Sequence, residues 1–498
     1  MMRFYPDADH FNAASGKPRL VWSRMVLDLE TPVSAMLKLM QPDEPCFLLE
    51  SVEGGASRGR YSIIGLKPDL IWRCNGNRAE VSKTAPFSED SFEPAWDDSL
   101  SSLKKLAREM AMDIPEGLPP MAAGIIGYMG YPTVGLTEKL PDNNPDPIGI
   151  PDGMFMRPTS VLIFDSVDGV VYIISLIWPD SARSYDEVTK EISSTVRLLQ
   201  GPLDQRHQHR AAEPKPLPFE PAMSKDDYFG MVEKAKEYIL AGDIFQVVPS
   251  QRFSAPFAHH PFALYRSLRQ LNPSPFLFYL HFGGFTLVGS SPEILVRVRD
   301  ETVTIRPIAG TRPRGKTTAE DLALEAELLA DAKECAEHLM LLDLGRNDVG
   351  RVCVKDSVKV TEQMIIERYS HVMHIVSNVE GKLDRSRYDA VDALFAGFPA
   401  GTVSGAPKIR AMEIIDEIEP LRRSFYAGGT GYIGANGSLD ICINLRTALV
   451  KDGVVYAQAG GGVVADSVPE AEYQESVNKA KAVMKAAENA SQFAGGDA

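Results

Sequence analysis

In the N-terminal part of the chain, short apolar runs alternate with polar turn signals: "CFLLES", "YSIIGL", "GIIGYMGY", "SVLIFDS" and "VVYIISLIW". Runs of this length, bounded by Gly, Pro, Asp and Ser, predict strands. The clearest 3.6-residue pattern there is "DSLSSLKKLAREMAM", a helix. The stretch "GPLDQRHQHRAAEPKPLPFEP", residues 201–221, is polar, holds five prolines and follows neither period. It reads as a linker or long surface connection. Beyond it, "SKDDYFGMVEKAKEYILAGD" predicts a helix in which Ser224 and Asp227 form a capping box, Val232, Ala235 and Ile239 share a stripe, and Gly242 stops the helix. Strand-like runs follow ("IFQVV", "FLFYLHF", "FTLVGS", "EILVRVR", "VTIRPIA"), then one long helical pattern over "AEDLALEAELLADAKECAEHLMLLDL". "LDICINLRTALV" and "VVYAQAGGGVV" flank "KDG", a hairpin turn, and the chain closes on the helix "EAEYQESVNKAKAVMKAAENA". Strands cluster and helices come singly. That favours antiparallel α+β layers over a doubly wound parallel sheet. The seam suggests an N-terminal region, 1–221, and a C-terminal region, 222–498.

Composition narrows the possibilities. The chain is acidic, with 52 basic against 67 acidic residues, which disfavours non-specific nucleic-acid binding. Its five cysteines are scattered without a C-x-x-C pair, as expected of a reducing, cytoplasmic compartment and not of a disulfide framework or zinc site. No signal peptide opens the sequence and no apolar run is long enough to span a bilayer, so no membrane partner is expected.

Against that acidic background, "RPIAGTRPRG" places three arginines and two glycines in ten residues, the pattern of an anion-binding loop. Glu334 and Glu337 lie three apart on one predicted helix, and Glu472 and Glu475 three apart on another, so each pair shares a face. Such carboxylates are either solvated helix faces or ligands for Mg²⁺, a hard cation that completes its shell with water and substrate oxygens. "GGTGYIG" contains G-x-G-x-x-G (Gly429 to Gly434), but a turn and a strand follow it, not a helix, so it fails as a dinucleotide fingerprint. Gly460, Gly461 and Gly462 would let backbone N–H groups reach a carboxylate. Arg446 sits in the strand-like run "CINLRTALV", either paired in the fold or aimed at an anion. His371 and His374 lie three apart in "SHVMHIV".

"PIAGTRPRG", "AEHLMLLDLGRND", "GTVSGAPK", "AGGGVV" and "ESVNKA", in that order, make the chain resemble the chorismate-utilising enzymes. Within them it resembles the large subunits that form anthranilate in tryptophan biosynthesis. The likeness covers nearly all of residues 222–485 and extends N-terminally through "LLES" and "RYSIIG". It implies a large two-sheet β-sandwich of mostly antiparallel strands wrapped by helices, with the active site in the cleft between the sheets and both sides of the seam in one architecture. The substrate implied is chorismate, a dicarboxylate, with Gly310 and Thr311 of the arginine-rich loop as contacts. Carried over by position, Mg²⁺ would be held by Glu337 and Glu475. Tyr426 and Arg446 would grip the enolpyruvyl carboxylate, and amides of Gly460–Gly462 the other. Glu293 in "GSSPE" would be the general acid for the departing C4 hydroxyl, with His374 over the ring and Thr402 beside it.

The resemblance also implies ammonia as nucleophile. Relatives that make aminodeoxychorismate carry lysine at the position of Ala309, and isochorismate-forming ones carry lysine at the position of Gln246. The alternatives are an aminodeoxychorismate-forming subunit or an inactive tryptophan-responsive relative. No glutaminase signature is present, so a separate glutamine amidotransferase subunit (component II) is implied, in a heterotetramer. L-tryptophan would inhibit by binding Ser51 and the backbone of Pro275, Phe276 and Leu277, with Glu50 taking its ammonium group. Relatives often read Pro-Tyr-Met where this chain reads Pro-Phe-Leu.

Overall fold

A computed structural model describes residues 2–53, 57–83, 85–204, 213–369 and 372–494. His371, the middle of the 201–221 stretch and most of the C-terminal tail lie outside the described residues. Strand pairings among the described residues are antiparallel throughout. Apart from two small two-stranded ribbons, they form one continuous ladder folded into two leaves.

The hinge between the leaves is a pair of long strands, Tyr61–Asn75 and Gly153–Asp165, which pair along their whole length with a register shift between Pro68 and Leu70. On one side of that shift, residues 61–66 and 160–165 belong to the first leaf. It runs from Arg19–Val26 and Val170–Ile177 through these two strands to Cys46–Glu50, Phe276–His281, Phe285–Ser291, Thr447–Lys451, Val454–Gly460 and Ser250–Pro256. On the other side, the same strands join the second leaf. There Gly124–Met129, Gly429–Gly434, Leu439–Ile443, Ile294–Arg299, Thr302–Ile305 and Val372–Lys382 follow in order. Ile308–Pro313 and Lys359–Arg368 also pair with Val372–Lys382. Strands from either side of residue 221 therefore lie next to each other in both leaves.

The main core fills the space between the leaves. Phe47, Trp72, Phe278 and Leu287 meet Ile125, Tyr128, Leu295 and Ile441 there, all with almost no exposed surface. A second apolar layer covers the outer face of the first leaf, where Leu48, Ile64 and Tyr279 pack with Met36, Val188, Ile192, Leu264 and Val483 from the surrounding helices. Alternate strand residues thus face opposite layers, as the pleat requires.

Local signals account for most element ends. Ser224 and Asp227 form the expected capping box on the helix Lys225–Ala241, and Gly242 ends it at φ 84°. Asp452 and Gly453, at φ 50° and 72°, make the tight turn between Thr447–Lys451 and Val454–Gly460. The long helical pattern after the arginine-rich loop divides into Thr318–Ala330 and Ala332–Gly350. The break is at Asp331, whose carboxylate accepts from the N–H groups of Lys333 and Glu334 and so starts a second helix. "LDICINLRTALV" also divides: Leu439–Ile443 belongs to the second leaf and Thr447–Lys451 to the first. Arg446 is therefore not within a strand. It sits in the crossing between leaves at φ 48°, a left-handed conformation uncommon for a non-glycine residue.

Candidate active site

Two crossings between the leaves carry the chemistry. In one, Phe285–Ser291 of the first leaf gives way to Ile294–Arg299 of the second, and Glu293 lies in between. In the other, the chain returns through Arg446. Both open on a cavity of about 1050 Å³. Gly310, Thr311, His374, Thr402, Tyr426, Gly460, Gly462, Glu337 and Glu475 also line it. Gly461 is adjacent, and a Cβ placed there would come within 2.8 Å of the Glu472 Oε2 atom.

Glu293 is 7% exposed, and burial pushes its carboxyl up to about 8. Thr402 Oγ1 donates to its Oε1 at 3.0 Å, and Arg446 and Lys479 pull in the opposite direction without offsetting the desolvation. At neutral pH this is a carboxylic acid holding a proton inside a cavity. His374 is the reverse case, since burial lowers it to about 4 and keeps it neutral. Its Nδ1 lies 3.1 Å from the Gly310 carbonyl and 3.0 Å from Thr311 Oγ1. A carbonyl can only accept, so Nδ1 carries the hydrogen and Nε2 is bare. Gly310 reaches that position through a bulge opposite His374, at φ 69°.

The guanidinium of Arg446 makes no hydrogen bond or ion pair among the described residues. Burial lowers its pKa, while the nearby Tyr426, Glu293 and Glu475 favour its charged form. A half-buried arginine without a partner, in a strained backbone conformation, is poised for an anionic ligand. Tyr426 beside it is 2% exposed, and burial pushes its hydroxyl up to about 12, so it remains a donor.

Four carboxylates, Glu334, Glu337, Glu472 and Glu475, line the same cavity. Burial raises Glu337, Gln246 Nε2 donates to its Oε1 at 2.7 Å, and Glu334 and Glu475 raise it further by repulsion. Glu475 pairs with Lys479 at 2.6 Å. Burial likewise raises Glu472; Ser467 Oγ donates to its Oε1 at 2.7 Å, while its Oε2 is buried with no partner. Among the described residues no three His, Cys, Asp or Glu gather tightly enough to hold a metal unaided. The four carboxylates instead flank a space in which Lys479 and Arg312 each pair with one of them, Glu475 and Glu334, while Glu337 and Glu472 have no cationic partner among the described residues and one oxygen of Glu472 is orphaned. That suits a hard divalent cation whose remaining ligands are water and substrate oxygens.

Other expectations need correction. The arginines of "RPIAGTRPRG" do not face the cavity as an anion-binding cluster. Arg306 pairs with Glu362 and Glu367, Arg312 with Glu327, Asp331 and Glu334, and Arg314 with Asp321. They fasten the loop to the two helices that follow it and to the strand Lys359–Arg368, and leave Gly310 and Thr311 to line the cavity. Of the three glycine amides, that of Gly461 is already engaged, donating to the Pro249 carbonyl at 3.3 Å. Lys479, which lines the cavity and donates to the Gly460 carbonyl at 3.1 Å, is absent from the sequence-based set, although its i,i+4 spacing to Glu475 is a signal for it.

A separate cavity of about 680 Å³ brings together Ser51, Pro275, Phe276 and Leu277. The two segments meet because Cys46–Glu50 and Phe276–His281 are neighbouring strands, with Leu277 opposite Glu50. Glu50 is not free to receive an ammonium group: Arg269 holds it through a two-pronged pair at 2.6 and 3.0 Å, and the Tyr265 hydroxyl donates to it at 2.6 Å. Asp440 lines the same cavity, where Arg297 and Arg299 hold its Oδ2 and its Oδ1 is buried without a partner.

A sandwich whose leaf crossings deliver a buried acid and an unpaired arginine to one cavity defines a recognisable class. The chorismate binding enzyme family matches residues 44–485, and the chain belongs to that family. Within it, the chain is similar to proteins named anthranilate synthase component 1. It is 54% identical to that of Cereibacter sphaeroides over 485 residues, 96% of each chain, and 48% identical to that of Pseudomonas putida, covering 92% of this chain and 93% of the other. The crystal structure of anthranilate synthase component I from Streptococcus pneumoniae superposes with a TM-score of 0.78 at 38% identity, covering 86% of this chain and 92% of that one. MenF, the menaquinone-specific isochorismate synthase of Escherichia coli, shares the fold at a TM-score of 0.71 and 21% identity over 95% of each chain.

Proposed function

We propose that the chain is the chorismate-converting subunit of an anthranilate synthase, acting in tryptophan biosynthesis: chorismate and ammonia become anthranilate, pyruvate and water. The observation that carries this reading is that a buried Glu293, whose burial favours its protonated form, and an unpartnered Arg446 line one cavity. Arg446 and the Tyr426 hydroxyl hold one carboxylate of the substrate. Glu293, oriented by Thr402, delivers its proton to the departing C4 hydroxyl as ammonia adds at C2. Loss of the C2 proton with the enolpyruvyl group then gives the aromatic amine. His374, neutral with Nε2 bare, can accept a proton at that atom but cannot donate one there. Gln246 and Ala309, where lysines would supply other chemistry, favour ammonia as nucleophile. The test is fluorescence of anthranilate formed from chorismate, Mg²⁺ and an ammonium salt. No emission above the rate without enzyme refutes the assignment.

Glu337 and Glu475, with Glu334 and Glu472 beside them, are the residues that would hold Mg²⁺. When bound, the ion would neutralise the ring carboxylate and fix its position. Glu337→Gln and Glu475→Gln are each expected to weaken Mg²⁺ binding by about tenfold or more, the order of loss when a hard-cation site forfeits a charged oxygen. Calorimetric Mg²⁺ titration of both variants checks this, and wild-type affinity in both would reassign the metal.

Ammonia would come from a glutamine amidotransferase subunit, component II, in a heterotetramer. A cytoplasmic location is supported by the five cysteines, all of them free thiols, and no helix among the described residues is long and apolar enough to cross a membrane. The second cavity would bind L-tryptophan, with Ser51 touching the ligand and the Pro275–Leu277 backbone holding it. Ser51→Phe should fill part of this cavity. Tryptophan inhibition is expected to weaken by about tenfold or more in the variant, and an unchanged inhibition curve would place the effector elsewhere.

A further inference from the structure

We propose that the buried Glu419–Arg423 pair is the positioning element for the substrate-facing wall, locking three separate segments of it into one geometry. This rests on the chorismate reading of the cavity. Arg423 is 2% and Glu419 4% exposed, four residues apart. Neither lines the substrate cavity; both border a separate, smaller recess of about 250 Å³. Their hydrogen bonds lead to the substrate cavity. Arg423 Nη1 donates to the Val403 carbonyl at 2.7 Å, next to Thr402, and Nη2 donates to the Val248 carbonyl. Val248, Thr402 and Val403 all line the substrate cavity. The guanidinium also lies 5.5 Å from the centre of the Tyr426 ring.

Glu419 completes the lock. Its Oε1 accepts from the Ser250 N–H at 2.7 Å and Ser250 Oγ at 2.9 Å, besides Arg423. Ser250 Oγ in turn accepts from Gln458 Nε2 at 2.9 Å, and Gln458 lines the substrate cavity. The carbonyl of Pro249, between the Val248 and Ser250 that the pair grips, accepts from Gly461. A single ion pair therefore sets the backbone behind Thr402, the glycine run and Tyr426. Only a planar, multiply donating cation can bridge carbonyls on two segments while remaining paired with a carboxylate.

A pair that acts only on stability can be separated from one that positions the wall. Replacing both partners with neutral side chains of similar size, Glu419→Gln with Arg423→Met, avoids stranding a buried charge, a change folds commonly tolerate. Steady-state kinetics with chorismate and ammonium would be measured beside the wild type, whose own anthranilate production tests the underlying reading separately. The folded double variant is expected to show KM for chorismate raised about tenfold or more and kcat lowered by a similar factor, because Tyr426 and Thr402 both shift. If the double variant does not fold, Arg423→Lys makes the same comparison, since a lysine keeps the charge but cannot span both carbonyls. Wild-type KM and kcat in either folded variant overturn the proposal.

Discussion

Glu293→Gln is expected to lower kcat by about 10²–10⁴-fold, the range over which a positioned general acid contributes. Glutamine keeps the size of the side chain and can still accept from Thr402, but it holds no acidic proton to give to a leaving hydroxyl. Two pH effects follow from the same burial. Wild-type activity should fall as pH rises through about 8, where Glu293 loses its proton. The carboxyl ordinarily titrates near 4.5 when unfolded. Between these values the folded state retains a proton that the unfolded state has released, so stability drains away as pH rises from 4.5 towards 8. The glutamine variant lacks this loss. Its melting temperature relative to wild type should therefore climb across that window. The same alkaline fall in the residual activity of the variant would show that another group controls the profile.

Arg446→Lys should cost about 10²-fold in kcat/KM for chorismate, although the charge is preserved. A compact ammonium cannot reproduce a two-pronged grip on a carboxylate, and losing one member of a desolvated charged contact is expensive. Thermal stability should hardly change, because no ion pair within the protein is lost. That combination separates a ligand-binding arginine from a structural one: the buried Arg423 would lower stability when replaced alone. An unchanged kcat/KM sinks the assignment, and a large fall in melting temperature would point to a fold contact instead.

Much of the local structure is legible in the sequence. Ser224 and Asp227 cap a helix, and Asp452–Gly453 turn a hairpin, because those residues satisfy their own backbone within a few positions. Residue types in the candidate site are legible too, through the wording and order of the motifs. Features set by distant partners are hidden. Asp331 breaks a helix whose sequence has strong helical propensity on both sides. Arg446 reads as a strand residue because its apolar neighbours belong to strands of different leaves. Arg306 of the loop reads as free because its partners Glu362 and Glu367 lie more than fifty residues away, while Arg312 and Arg314 turn to acids of the helices that follow, whose docking against the loop is a tertiary contact. Glu50 reads as available because its partner, Arg269, is 219 positions distant. Glu419 and Arg423, with ordinary i,i+4 spacing, give no sign in the sequence that they are buried.

The hinge strands impose an order on synthesis. Cys46–Glu50 finishes one flank of Tyr61–Asn75 early, but its other neighbour, Phe276–His281, leaves the ribosome more than two hundred residues later. Gly124–Met129 waits longer still for Gly429–Gly434. Throughout that delay, nascent chains carry unpaired strand edges and an open apolar face, the surfaces through which partly made proteins associate wrongly. Such long-range pairing also slows folding after release. Expression yield should therefore depend on growth temperature and holdase capacity more steeply than the stability of the finished enzyme does.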